Sequence, residues 1–316
     1  LVWQKGLEGK MKKPSVFRDE KLQQEFDANG FVKFRLLSIE QIKQLHDFYF
    51  KTQAAHETVI DERKFHATND TDNAQLIADA DQFIKQVIIE EVEKHFHNYK
   101  TIAANYLIKQ PGDRSELGPH QDLRFVDETQ FYSFNIWVAT EPTNKHNGGL
   151  RFLKGSHNFF HTIRTLPSYP WKFRDVTDLI LENFTGVETE VGDCVVLNHA
   201  CIHASYPNLS NHIRVAAILA MIPKDADIVH YFLPDGNPAN EVEEYAMSLE
   251  DFVNLKGGKR PQSAPLIKKF NYDFSAVSRE TFLSKLGINN EANKSFVKYG
   301  FEYAKQKVST LFRVAG

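Results

Sequence analysis

Two stretches about 80 residues apart carry side chains suited to holding a metal ion. "GPHQDLRF" (118–125) contains His120 and Asp122, and "HACIHASYPNLSNHIR" (199–214) contains His199, His203, Ser205, His212 and Arg214. A His-x-Asp arises by chance about once in a chain of this composition, so the first stretch alone decides nothing. Two ligands bind weakly, and a third has to come from another strand. One carboxylate with two imidazoles forms the facial set that suits non-haem Fe(II), leaving positions free for a bidentate 2-oxo acid and oxygen. An Arg placed beyond such a set can grip the distal carboxylate of that acid with its planar fork. A Ser hydroxyl can add a hydrogen bond, and Lys cannot reproduce the fork.

Strand geometry offers a way to bring these groups together. "GDCVVLNHACIHASYPNLSNHIRVAAILAMIP" (192–223) reads as a strand entering a Pro-Asn-Leu-Ser turn and a second strand leaving it. Pairing Tyr206 with Asn211 sets His203 opposite Arg214 and Ser205 opposite His212. Alternation then puts all four on one face beside Val195, Leu197, Ala216 and Ile218. His199 shares the parity of His203 and is its rival as distal ligand. His212 sits next to the turn, at the pocket rim or in solvent.

The surrounding elements follow from pattern. Residues 18–29 read as a helix ended by Asn29-Gly30, followed by a strand at 31–37 and a second helix. Ser38 and Gln41 mark the start of that helix as a capping box. Leu76, Ile77, Phe83, Ile84, Val87, Ile88 and Val92 line one face of a long helix over 73–97. Short β-branched and aromatic runs separated by Gly, Pro, Asn and Asp clusters then fill 99–223, which predicts an all-β sandwich or barrel. These divisions give one domain over 1–316: helical support (1–98), β core (99–223) with a lid-like insertion at 159–190, and C-terminal loops and helices (224–316). The region after Pro223 reads as loop-rich until a last helix with a stripe of Val297, Phe301, Ala304, Val308 and Leu311.

The site positions together resemble the phytanoyl-CoA dioxygenase family of Fe(II)/2-oxoglutarate oxygenases. That family's pattern is an H-x-D, a distal His, a Ser two residues later and an Arg eleven residues later, here His120, Asp122, His203, Ser205 and Arg214. "NKHNGGLRFLKGSH" (144–157) and "GFVKFRLLSIEQIKQL" (30–45) resemble two framing motifs. The resemblance implies a mainly β fold with flanking helices, built on a double-stranded β-helix of jelly-roll, cupin-like type. It implies Fe(II) on His120, Asp122 and His203, with 2-oxoglutarate held by Arg214 and Ser205 and lined by Tyr106 and Trp137. O2 is the other co-substrate, and succinate and CO2 are the co-products. The Ser and Arg offsets favour His203 over His199. Arg124, Phe125 and Arg151 are candidate substrate contacts, and His157 braces a loop. A carboxylate at Asp122 favours hydroxylation over halogenation, since halogenating relatives carry a small residue there.

Composition narrows the partners. The chain has 316 residues, 42% hydrophobic, with 25 Phe and 11 Tyr, so a large core can be buried. A net charge of -3 supplies no basic stripe for nucleic acid. No apolar run reaches the ~18 residues that a membrane span needs. Cys194 and Cys201 lie about 23 Å apart on an extended segment and cannot bridge there. With no secretory signal at its start, the chain reads as cytoplasmic. A small metabolite or amino-acid-derived natural product is the expected substrate, and an acyl lipid or acyl thioester the alternative. A metal-binding jelly-roll sensor without turnover would account for the two histidines and Asp122 but not for Arg214.

Overall fold

The computed structural model describes residues 13–53, 64–236, 240–255 and 259–287. Alternation along the strands organises it. In β5 (Phe134–Ala139), Phe134, Ile136 and Val138 pack into one core cluster while Trp137 and Ala139 enter another. β5 sits inside a six-stranded sheet ordered β1 (Phe31–Arg35), β9 (Asp193–Asn198), β5, β11 (Arg214–Pro223), β3 (Tyr99–Lys109) and β2 (Phe65–Ala67). A four-stranded sheet comprises β4 (Leu117–His120), β10 (His203–Ser205), β6 (Leu150–Phe152) and β8 (Thr185–Val187). Phe31, Trp137, Leu150, Phe152, Val195, Leu197 and Ala216, drawn from both sheets, form one buried cluster. Phe31 stacks on Phe152 with ring centroids 4.1 Å apart. These two sheets form the double-stranded β-helix, and its interior is the face that carries chemistry.

The outer face of the six-stranded sheet is covered by α1 (Glu20–Asn29), α2 (Ile39–Phe48) and α3 (Ala74–His95). Asp19 caps α1, and the Ser38/Gln41 capping box opens α2. α3 buries Ala80, Ile84, Ile88 and Val92, a four-residue spacing that keeps one stripe on the sheet. Each fully buried Ile contributes roughly 1.5–3 kcal/mol. Gly30 closes α1 at φ 82°, and a Cβ there would lie 2.5 Å from His157 Nδ1. The His157 ring in turn meets the Asp27 carbonyl at 3.1 Å, so it braces the loop after β6 against α1.

Beyond Pro223 the chain is more regular than its polar sequence implies. β12 (Ile228–Leu233), β13 (Glu241–Met247) and β14 (Leu266–Asn271) join β7 (Leu166–Pro167) in a third sheet, ordered β14-β13-β12-β7. The glutamates of β13 and the lysines of β14 hide the strand signal by mimicking a loop. They pair across the ladder as Glu244–Lys268 and Glu243–Lys269, at 3.2 and 2.9 Å. α5 (Leu249–Asn254) follows β13.

The excursion over 159–190 is tied down near both ends, since β7 joins the third sheet and β8 pairs with β6. Where one domain over 1–316 is expected, the described residues fall into two compact units. One comprises residues up to 170 together with 184–273, and the other 171–183 with those from 274 onward. Within the latter, α4 (Thr177–Glu182) and α6 (Arg279–Leu286) are joined by an Arg279–Asp178 ion pair at 2.8 Å. The stripe from Val297 to Leu311 lies outside the described residues. No helix among the described residues is long and apolar enough to cross a membrane.

Candidate metal centre

His120 closes β4 and His203 opens β10, and the two are direct partners across that antiparallel ladder. Their rings lie 4.2 Å apart, with Phe152 stacked on His203 at 5.9 Å. Asp122 follows two residues after β4, in irregular chain that other contacts hold in place. Its N–H donates to the His199 carbonyl at 3.0 Å, and its Oδ2 accepts from Asn135 Nδ2 at 2.9 Å. One donor atom from each of His120, Asp122 and His203 lies within 4.8 Å of the others, and this is the one such group among the described residues.

The protonation pattern suits a divalent metal. His120 Nδ1 lies 2.9 Å from the Gly118 carbonyl, and His203 Nδ1 lies 2.9 Å from the Cys201 carbonyl. A carbonyl can only accept, so each Nδ1 is the protonated nitrogen and each Nε2 offers its lone pair. The two Nε2 atoms lie 3.8 Å from Oδ1 and Oδ2 of Asp122 respectively. Burial, assisted by His203, pushes His120 down to about 4, so its ring is neutral at pH 7. Burial alone would raise Asp122, but the electrostatic pull of the His203, His199 and His120 rings and of the Arg164 guanidinium holds it below the usual carboxylate range.

His199 does not join the cluster. Its Nδ1 contacts Ser133 Oγ at 2.9 Å, and Phe125 packs edge-on against its ring at 5.0 Å.

A second feature lies on the interior face of the six-stranded sheet. Arg214 begins β11, Lys109 ends β3, and the two are ladder partners. The Arg214 guanidinium lies 5.6 Å from the centre of the Trp137 ring. Its two terminal nitrogens reach the Leu107 and Gly148 carbonyls only at 3.4 Å, and its Nε is buried without a partner. Lys109 Nζ donates to the carbonyls of Ser115 and Tyr206 at 2.5 and 2.6 Å. The acidic groups that act on this pair are engaged elsewhere, Glu116 by Arg151 and Glu141 by His212. Burial first and Arg214 second push Lys109 down to about 6, and burial lowers Arg214 to about 10. Gly148, at φ 88°, keeps the space open, because a Cβ there would meet Lys109 Cδ at 2.6 Å. A buried guanidinium with an unfilled donor, beside a lysine that burial leaves mostly neutral at pH 7, suits an anion, since that charge would not stay buried cheaply without one.

Several expected placements change. His203 and Arg214 are not opposite each other on a hairpin, because β10 pairs with β4 and β6 while β11 pairs with β3 and β5. Residues 207–213 cross from one sheet to the other, held by Asn208 Nδ2 donating to the Lys109 and His212 carbonyls. Trp137 faces the interior, and Ser205 shares the face of His203 by alternation.

Tyr106 does not line this interior. It points to the helix side, where its hydroxyl donates to the Leu45 carbonyl at 3.0 Å. Arg151 is a brace on the outside of β6, paired with Glu116 at 2.5 Å and set against the rings of Phe184 and Tyr206. Arg124 bonds within its own loop to the Val126 carbonyl and to Asp127. Phe125 packs on His199 and Phe252 in the core under the third sheet. His212, exposed, meets Glu141 at 2.9 Å.

Lys109 and Asn135 escaped the sequence reading. Both carry a signal in hindsight, as polar residues inside the apolar runs "YLIK" and "FNIWVA".

A two-sheet β-helix whose interior presents two histidines and a carboxylate at one place and a buried Arg–Lys pair at another has the architecture of the non-haem iron oxygenases. Comparison with known proteins agrees with that class. The sequence pattern described as phytanoyl-CoA dioxygenase (PhyH) matches residues 26–216, over half of the chain, and the chain belongs to that family. Phytanoyl-CoA dioxygenase 1 of Oryza sativa subsp. japonica is 34% identical over 128 residues, 38% of this chain and 44% of that protein. Phytanoyl-CoA dioxygenase of Arabidopsis thaliana is 30% identical over 132 residues, 38% of this chain and 43% of that protein. The match thus spans less than half the length of either relative. The crystal structure of the epimerase SnoN in complex with Fe3+, alpha ketoglutarate and nogalamycin RO has the same fold. It is 15% identical with a TM-score of 0.51, covering 83% of this chain and 96% of that one.

Proposed function

We propose that this protein is an Fe(II)- and 2-oxoglutarate-dependent dioxygenase that hydroxylates an unactivated C–H of a small metabolite or amino-acid-derived natural product. His120, Asp122 and His203 hold the iron in this reading. Arg214, Ser205 and Lys109 receive the distal carboxylate of 2-oxoglutarate, beside Trp137. The observation that carries the reading is the unfilled Arg214 Nε, buried next to Lys109 in the interior of a roll that also holds the three-donor cluster. A metal-binding protein without a co-substrate has no use for that buried Arg–Lys pair.

Iron with 2-oxoglutarate and O2 would supply an oxidant able to take hydrogen from carbon, with succinate and CO2 as co-products. The protein's own part is orientation. The Gly118 and Cys201 carbonyls fix the tautomers of His120 and His203, and Asn135 fixes the rotation of the Asp122 carboxylate. Asp122 itself occupies the place that must be small for halide to bind, which supports hydroxylation. The names of the plant relatives support a second reading, in which the substrate is an acyl thioester.

The test begins anaerobically. Fe(II) and 2-oxoglutarate added together should give a weak visible charge-transfer band that Arg214→Ala loses. Incubation of the loaded protein with cell extract should then yield a species heavier by one oxygen atom, with oxygen-dependent release of succinate. Succinate release that persists in His203→Ala would sink the assignment, and a band without turnover on any extract would favour a sensor.

A further inference from the structure

We infer that Arg164 is a positioning residue for the metal centre, setting through the backbone of Asp122 where the carboxylate ligand stands. The inference rests on reading His120, Asp122 and His203 as metal ligands. Arg164 comes from the 159–190 excursion, yet its side chain is fully buried. Its Nε donates to the Asp122 carbonyl at 2.6 Å. The rest of the guanidinium forks onto Glu128, through a 2.8 Å bond to Oε2 and a second bond to Oε1, and also reaches the Thr162 carbonyl at 2.9 Å. Glu128 is itself buried, 3% exposed, so the pair is a buried unit that reaches out to the Thr162 carbonyl and, through Nε, to the ligand residue.

Asp122 needs such support because it stands past the end of β4, without a ladder partner. His199 accepts from its N–H, Arg164 donates to its carbonyl, and Asn135 holds its carboxylate. The preceding Gln121 is tied to the same excursion. Its Nε2 donates to the Phe160 and Ala200 carbonyls at 2.7 and 2.6 Å, and its Oε1 accepts from Thr162 Oγ1 at 2.6 Å. Residues 160, 162 and 164 thus grip the two positions that follow His120. A lysine at 164 would keep the charge but lose the geometry, since one ammonium cannot serve the fork on Glu128 and the Asp122 carbonyl in the directions a guanidinium can.

Co(II) is the probe, since its d–d absorption reports coordination without turnover. Two variants are titrated beside the native protein. Arg164→Lys leaves Glu128 a cation, and the paired Arg164→Met/Glu128→Leu removes both charges together, which folded proteins tolerate far better than one orphan. Both should unfold cooperatively, bind Co(II) about 10–100-fold more weakly and show a changed d–d band, as loss of a ligand's supporting bond does. A folded paired variant with native Co(II) affinity and band overturns the inference. So does loss of fold in both variants, which would make Arg164 a residue of the core alone. Failure of the native protein to bind Co(II), or binding that survives His120→Ala, instead sinks the metal reading.

Discussion

The two faces of the six-stranded sheet are built from the same strands and obey different rules. On the helix side, Tyr106, Ile108, Phe134, Ile136, Val138, Ala217 and Leu219 form part of one apolar cluster with α1, α2 and α3. The interior face alternates with them residue by residue and admits Lys109, Asn135 and Arg214 among Trp137 and Ala216. The outer face lowers the free energy of the fold. The inner face also buries an apolar cluster, but Arg214 and Lys109 work against it by keeping a guanidinium and an amine out of water.

Substitutions on the two faces should therefore separate stability from ligand binding. Phe134→Ala, within the aromatic cluster of Phe26, Phe96 and Tyr99, should cost about 3–5 kcal/mol in denaturant unfolding. Arg214→Ala should do the reverse, weakening 2-oxoglutarate about 100-fold while the melting temperature holds or rises. Titration of Trp137 fluorescence would measure that affinity, and a fall in melting temperature matching the Phe134 variant would erase the contrast.

Lys109 sharpens the comparison through pH. Pushed down to about 6, it is mostly neutral at pH 7, and a carboxylate bound beside it would draw a proton onto it. The dissociation constant for 2-oxoglutarate should then rise with pH above about 6, by up to tenfold per unit. Lys109→Met should flatten that dependence. The sign for folding is the opposite: the unfolded lysine keeps its ordinary 10.5, binds more protons, and so this residue's cost to stability grows as pH falls from 10.5 toward 6. The smallest effect belongs to Tyr106→Phe, which loses one hydrogen bond to Leu45 worth about 1 kcal/mol and should leave 2-oxoglutarate affinity untouched.

What could be read from the sequence divides along a similar line. The helices, the β core and the trio of His120, Asp122 and His203 were legible because period, caps and motif offsets are local or fixed by family pattern. The hairpin joining His203 to Arg214 was not, since a chain that leaves one sheet for the facing one keeps its alternation and changes only its partners. Tyr106 shows how sharp that limit is, because its neighbour Leu107 packs against the interior cluster and a shift of one residue reverses the face. Arg124 and Arg151 looked free because their partners Asp127 and Glu116 are identified only by folding. The burial of Arg164 and Glu128 is invisible in the sequence for the same reason, as isolated polar letters carry no mark of burial.

The edge strand β1 carries a consequence in time. Phe31 pairs with Leu197 and Arg35 with Asp193, so an early strand waits for a partner made about 160 residues later. At ordinary synthesis rates that interval is roughly 10–30 s. Throughout it, Phe31, Val32 and Phe34 have no ladder to join, and a nascent chain stopped short of residue 193 presents that edge to whatever else is in reach.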